Sequence, residues 1–164
     1  MKIKVYIDTN IFIYAIIHHP MYGEVCSRIL KSLKEKKYDA YGSLMVAIEL
    51  LGSLSRINST IAKKAMELYL SLDMAILPID EKILSLASII NEVVNVGYDA
   101  IHAALMILNE IPIIITNDKD DWFKLARNFN QIRKAIEGEG YEIGLNEMKV
   151  ITPDNYLEWY KRII

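Results

Sequence analysis

Apolar residues along this chain fall into two alternating rhythms. Short dense runs rich in Ile and Val read as strands: Lys2–Ile7, Tyr38–Tyr41, Met74–Pro78, Pro112–Thr116 and Lys149–Ile151. Between them, longer segments carry apolar residues at three- and four-residue intervals and read as helices. These are Tyr22–Lys37, Leu44–Ile57, Thr60–Leu72, Glu81–Val94, Ala100–Asn109 and Asp154–Ile163. Strands that alternate with helices predict an α/β fold with a mainly parallel sheet covered on both faces. The punctuation agrees. Ser43 is placed to cap the helix from Leu44, Ser59 or Thr60 the next, and Asp80 the one after. Thr152-Pro153-Asp154 is a helix start with Pro at the first helical position. The Glu137-Gly138-Glu139-Gly140 stretch reads as a loop.

Four acidic residues break this pattern where an ordinary acidic residue would not. Asp8 ends the first apolar run, and Asp118 follows the run Ile113–Asn117. Glu49 interrupts Met45-Val46-Ala47-Ile48 and Leu50-Leu51, and Asp99 opens the apolar stretch from Ala100 to Met106. A carboxylate beside the core costs several kcal/mol unless a cation or hydrogen bonds compensate it. Capping offers each Asp a separate structural role: Asp8 before Thr9-Asn10, Asp99 before its helix, and Asp118 in a turn before another. Glu49 has no such explanation. In open α/β sheets sites gather at the carboxyl ends of strands, where Asp8 and Asp118 both fall.

Converging carboxylates repel one another and raise some of their pKa values in the absence of metal. Hard divalent cations such as Mg²⁺ or Mn²⁺ prefer such all-oxygen ligand sets. No Cys/His pattern and no H-E-x-x-H occurs, which speaks against zinc chemistry. His102, three residues after Asp99, shares its helix face and reads as a hydrogen-bonded structural histidine. His18-His19 show no ligand spacing. The ten tyrosines and two tryptophans read mainly as packing residues, with base stacking as the second use. Arg56, two turns beyond Glu49, is a candidate phosphate contact.

Composition narrows the class. A chain of 164 residues, 52% hydrophobic and 24% charged, suits one globular domain over residues 1–164. A net charge of −2 argues against holding nucleic acid by bulk charge, although a bound cation would supply a positive field locally. The lone Cys26 has no intramolecular disulfide partner and suits a reducing cytoplasm. No apolar run is long enough to span a bilayer, and no secretory leader pattern opens the chain, so no membrane association is expected.

With these residues in view, the chain resembles the PIN-domain family, and within it the VapC-type toxins. The matching segments are Val5–Asn10, Ser43–Gly52, Tyr98–Ala104 and Thr116–Trp122, and the ending Val150–Leu157 is similar too. The resemblance implies a three-layer α/β/α sandwich around about five strands and a Mg²⁺- or Mn²⁺-dependent ribonuclease. Asp8, Glu49, Asp99 and Asp118 match the family's metal-binding and catalytic acids. Asp121 matches a further acidic position, and Thr116 a hydroxyl that supports the site. The toxin type also implies a homodimer, an RNA substrate and a small antitoxin whose tail covers the acidic groove. The stretch from Asn128 to Met148 is longer than a compact toxin leads one to expect.

Other readings fare worse. A haloacid dehalogenase-like phosphatase needs a second Asp two residues after the first, where Asn10 stands. No G-x-x-x-x-G-K-[ST] or G-x-G-x-x-G is present for nucleotide binding. The serious rival is a non-catalytic or accessory PIN domain that binds RNA or protein without cutting; loss of an acid would favour it, and none is lost. An RNA-processing PIN nuclease without an antitoxin is the remaining alternative within the enzyme class.

Overall fold

A computed structural model describes residues 1–164. Five strands form one parallel sheet: β1 (Lys4–Ile7), β2 (Asp39–Ser43), β3 (Ala75–Leu77), β4 (Ile113–Ile115) and β5 (Lys149–Ile151). Their spatial order is β3-β2-β1-β4-β5, with β1 at the centre. Val5 lies opposite Ala40 on one side and Ile113 on the other, and Ile7 lies opposite Ile115. The chain thus moves outward from β1 to β3, then crosses back and moves outward again from β4 to β5. Right-handed crossovers in opposite directions put their helices on opposite faces of a sheet. The helices follow that rule and complete a three-layer α/β/α sandwich.

The first group contains α1 (Thr9–Ile16), α2 (Gly23–Ser32), α3 (Leu44–Ser55) and α4 (Ser59–Ser71). The second contains α5 (Glu81–Val93), α6 (Asp99–Leu108), α7 (Lys119–Arg127) and α8 (Phe129–Gly138). Helix α9 (Pro153–Ile163) returns to pack on α2. The buried apolar residues, from Val5 to Tyr156, make a continuous cluster of 44, so both helical layers share the sheet's core.

The predicted strands all occur; β5 has the expected bounds, and the other four are trimmed or shifted by one or two residues at an end. Ser43 and Asp80 cap α3 and α5 as expected, accepting from the Val46 and Ile83 amides at 3.2 and 3.0 Å. The cap of α4 is Asn58, not Ser59 or Thr60: its Oδ1 accepts from both the Thr60 and Ile61 amides. Helix α2 stops at Ser32, short of Lys37, because a 3-10 turn over Leu33–Glu35 leads into Lys36 with φ of 52°. Three helices are additional to the predicted set. Helices α1 and α7 follow directly on the capping residues Asp8 and Asp118, and α8 occupies half of the long 128–148 stretch. The rest of that stretch is irregular but anchored by buried Ile143, Leu145 and Met148.

A candidate metal centre at the strand ends

Strand pairing brings the ends of β1 and β4 side by side, and the site is built on that junction. The Asp8 amide donates to the Ile115 carbonyl at 3.0 Å, which continues the ladder one residue past β1. The Asp8 side chain is buried and caps α1, its Oδ1 accepting from the Thr9 amide at 2.7 Å. Its Oδ2 accepts from the Thr116 hydroxyl at 2.7 Å and from Asn10 Nδ2 at 3.1 Å. The same Thr116 Oγ1 accepts from the Asp118 amide at 3.0 Å. One buried hydroxyl therefore holds both strand-end acids. Asn10 adds a second tie, its Oδ1 accepting from the Asn117 amide at 2.9 Å.

The other acids arrive on helices. Asp118 caps α7, and Asp121 lies in that helix's first turn. Asp99 is the first residue of α6, whose cap position is Tyr98, and it makes no capping hydrogen bond. The capping role open to Asp99 in the sequence is therefore not the one it takes. Instead, carboxylate oxygens of Asp99, Asp118 and Asp121 all lie within 4.8 Å of one another, each residue half-buried. Burial raises the Asp99 pKa to about 9, assisted by the charge of Asp8 and by Asp118 and Asp121. Burial likewise raises Asp8, although His102, the Thr116 hydroxyl and the Thr9 amide oppose it. The mutual repulsion expected of converging carboxylates is present.

Glu49 sits on α3 at the other side of Asp8. Its Oε1 accepts from the Thr9 hydroxyl at 3.2 Å and pairs with His102 Nε2, while Oε2 makes no hydrogen bond. His102 is fully buried, and its Nδ1 is 2.7 Å from the Tyr6 hydroxyl. That hydroxyl in turn meets Ser43 Oγ at 2.7 Å, beneath the start of α3. Burial lowers the His102 pKa, but the Glu49 hydrogen bond and the charges of Asp8 and Glu49 outweigh it and leave it raised. His102 is thus hydrogen-bonded at both nitrogens, as its helix position suggested, and its partner is Glu49.

The predicted acids divide into a triad of Asp99, Asp118 and Asp121, a strand-end anchor at Asp8, and Glu49 on its own buried network. Asp8 links the two sides, since its charge acts on both Asp99 and His102. The triad offers only oxygen donors, the chemistry that hard divalent cations take. A cation there would offset the burial cost and the repulsion that together hold Asp99 protonated. Sequence reasoning missed Asn10 as a brace and Tyr6 as the support for His102; the Asp-Thr-Asn run was the one visible signal for Asn10. His18-His19 lie in a turn, where His19 Nδ1 accepts from the Met21 and Tyr22 amides. Arg56 caps the carboxyl end of α3 and is exposed.

A family model described as the PIN domain matches residues 5–128, the region that holds every one of these groups. The chain belongs to the PIN domain family. Among curated proteins, none matches it significantly in sequence. Solved structures similar to this PIN domain include a chain of VapBC2 from Rickettsia felis bound to a DNA fragment from its promoter. That chain is 17% identical, with a TM-score of 0.62 over 92% of this chain and 98% of the other. DNA-bound VapBC from Salmonella typhimurium is also similar, with 17% identity, a TM-score of 0.58 and the same coverages. At that identity the likeness is one of fold.

Proposed function

We propose that this PIN domain is a Mg²⁺- or Mn²⁺-dependent endoribonuclease and the toxin of a toxin–antitoxin pair. The observation that carries the proposal is the convergence of Asp99, Asp118 and Asp121 within 4.8 Å. Asp8, whose charge bears on Asp99, stands beside them. Asp8, Glu49, Asp99 and Asp118 are assigned as the metal-binding and catalytic set. Asp121 is a further ligand and Thr116 the supporting hydroxyl. A divalent cation supplies Lewis acidity there, easing deprotonation of water and offsetting charge that develops on a phosphodiester.

The chain's own residues prepare that site. Thr116 orients Asp8 and fixes the start of the Asp118 turn, so both strand-end acids keep one geometry. His102 and Thr9 hold Glu49 through a single oxygen, which leaves Oε2 turned to other use. The fold likeness to VapBC complexes and the resemblance of the motifs support the toxin reading over a processing nuclease. Ile48 and Leu51 flank Glu49 on α3 and are 58% and 51% exposed, which supports a protein contact there. We assign that contact to an antitoxin or to the second copy in a homodimer. Residues 1–164 act as one domain, in the cytoplasm where RNA is met.

The test is cleavage of a labelled structured RNA with Mg²⁺, Mn²⁺ or EDTA. Cutting should require metal and should vanish in Asp8→Asn and in Asp99→Asn while both variants remain folded. Full activity in both variants would overturn the assigned site. Absence of both cutting and metal binding in the unmutated chain would favour a non-catalytic PIN domain. Growth arrest on expression of the chain alone, relieved by a small neighbouring protein, would separate toxin from processing nuclease.

A further inference from the structure

Three fully buried polar side chains are joined one to the next inside the core: Ser43 at the end of β2, Tyr6 in β1 and His102 in α6. The Tyr6 hydroxyl stands 2.7 Å from Ser43 Oγ on one side and 2.7 Å from His102 Nδ1 on the other. His102 Nε2 then meets Glu49 Oε1, and only there, at a half-buried side chain, does the chain of polar groups approach solvent. Its far end is held as firmly. Ser43 caps α3 by accepting from the Val46 amide, and the Tyr69 hydroxyl on α4 bonds both the amide and the carbonyl of Ser43. The chain thus leaves α3 at its cap, crosses β1 and α6, and returns to the same helix six residues later.

The fold alone has no need of such a chain. Apolar groups of the same shape in place of both partners of a buried hydrogen bond can be neutral or stabilising. What sets this one apart is the residue on which it ends. Glu49 is the acid that capping could not explain, and its Oε1 is taken by His102 and Thr9 while Oε2 makes no hydrogen bond. The rotation of the imidazole decides where Oε1 is held, and hence where Oε2 points. On the core side, the Tyr6 hydroxyl is the one hydrogen-bond partner of the ring. A hydroxyl both donates and accepts, so it serves Nδ1 with or without a proton there, and Nε2–H faces Glu49 in either case. The two rings also meet edge to face, with centroids 5.6 Å apart, so the phenyl ring fills space even without its oxygen.

We infer that Tyr6, braced by Ser43, is a positioning residue for Glu49 that acts through His102, and that this buried chain sets the direction of the free Glu49 Oε2. The inference rests on the ribonuclease reading for the use of that oxygen and adds the residues that aim it. Being fully buried, Tyr6, Ser43 and His102 cannot touch substrate. Their contribution is to keep one carboxylate in one geometry, as the outer hydrogen-bond partners of metal-binding carboxylates do. Without the Tyr6 hydroxyl, His102 Nδ1 is buried with no partner, and Glu49 itself becomes the only anchor of the ring.

The test compares Tyr6→Phe, which removes one oxygen and keeps the ring, with Tyr38→Phe, the same change at a buried hydroxyl between Ser32 and Tyr156. Both are made in the full chain and assayed with labelled RNA and Mn²⁺. Tyr6→Phe should lower kcat about ten- to a hundredfold with KM little changed, and Tyr38→Phe should leave both alone. His102→Gln carries an amide N–H in place of Nε2–H and should keep most of kcat. Having no second ring nitrogen, it should lose little more when Tyr6→Phe is added. A readout independent of cleavage is the His102 Nε2–H proton resonance in metal-free protein, shifted far downfield by the Glu49 carboxylate. It should be present in the original chain, absent in Glu49→Ala, and lost or broadened in Tyr6→Phe. Unchanged kcat in Tyr6→Phe would overturn the inference, and so would a fall in kcat with the resonance intact or an equal fall in Tyr38→Phe. If the original chain cuts no RNA, the nuclease reading fails by itself and the resonance decides. Its loss in Tyr6→Phe then upholds the positioning of Glu49, and its persistence overturns it.

Discussion

At the scale of the residue, Asp99 has a pKa of about 9, set first by burial and then by Asp8, Asp118 and Asp121. An unfolded Asp titrates near 3.9. The folded form therefore holds its proton over a wide pH range in which the unfolded form has lost it. The native state is penalised as pH rises from about 4 toward 9, and the penalty is complete only above the folded value. Asp99→Asn should then stabilise the metal-free protein. Its advantage should grow between pH 5 and pH 9 by at least about 1 kcal/mol, the worth of one pKa unit. Thermal melts in EDTA at both pH values measure it, and a pH-independent difference would contradict the assigned cause. His102 makes the opposite case. It is buried between Tyr6 and Glu49, so His102→Ala opens a cavity and leaves the Tyr6 hydroxyl with Ser43 as its one remaining partner. We expect a loss of roughly 2–4 kcal/mol in urea denaturation; a loss under about 0.5 kcal/mol would mean that the network bears little on stability.

At the scale of the element, the glycine in β2 has a specific task. A Cβ on Gly42 would stand 2.3 Å from the Tyr69 hydroxyl and 2.4 Å from the end of Met74. That hydroxyl accepts from the Ser43 amide and donates to the Ser43 carbonyl, both at 2.8 Å, so Gly42 lets α4 grip the strand end where α3 begins. Gly42→Ala should cost about 1–3 kcal/mol by overpacking. Its effect should be less than additive with Tyr69→Phe, since both release the same contact; full additivity would refute the shared mechanism. Strands and long amphipathic helices were legible because their apolar periods are distinct. Helix α1 was not, since Thr-Asn-Ile-Phe-Ile-Tyr-Ala-Ile is β-branched and aromatic and runs on from a strand. Its helicity comes from the Asp8 cap and from burial of Ile11, Phe12 and Ala15. Helix α7 is short and more than half charged, with only Trp122 and Leu125 buried, too thin a stripe to read. Helix α8 does carry apolar Phe129, Ile132 and Ile136 at helical spacing, but the glycines at its end drew the whole stretch toward loop. The strand-end acids could be placed from sequence alone because parallel strands finish at one edge. The tie between Glu49 and His102 spans 53 residues and two helices, and nothing local announces it.

At the scale of the molecule, a metal at the triad would be linked to the fold. A cation that binds the folded triad and not the unfolded chain stabilises the fold by about 2.7 kcal/mol at one hundred times its Kd. For a chain of this length that is a rise in Tm of about 5–10 °C. Titrating Mg²⁺ or Mn²⁺ into EDTA-treated protein should give a saturating rise that Asp99→Asn combined with Asp118→Asn removes. An equal rise in that double variant would locate the cation elsewhere. The hydrogen bond from Thr116 to Asp8 joins residues 108 apart in sequence, at the centre of the sheet. A chain emerging from the ribosome can finish β1, β2 and β3 with Asp8, Glu49 and Asp99 already outside, yet Thr116 and two of the five acids, Asp118 and Asp121, are still to come. Synthesis at some 5–20 residues per second leaves seconds in which most of the protein exists without its centre. The acidic centre is thus withheld by chain order until β4 pairs with β1, and a partner present at that moment meets the site as it forms.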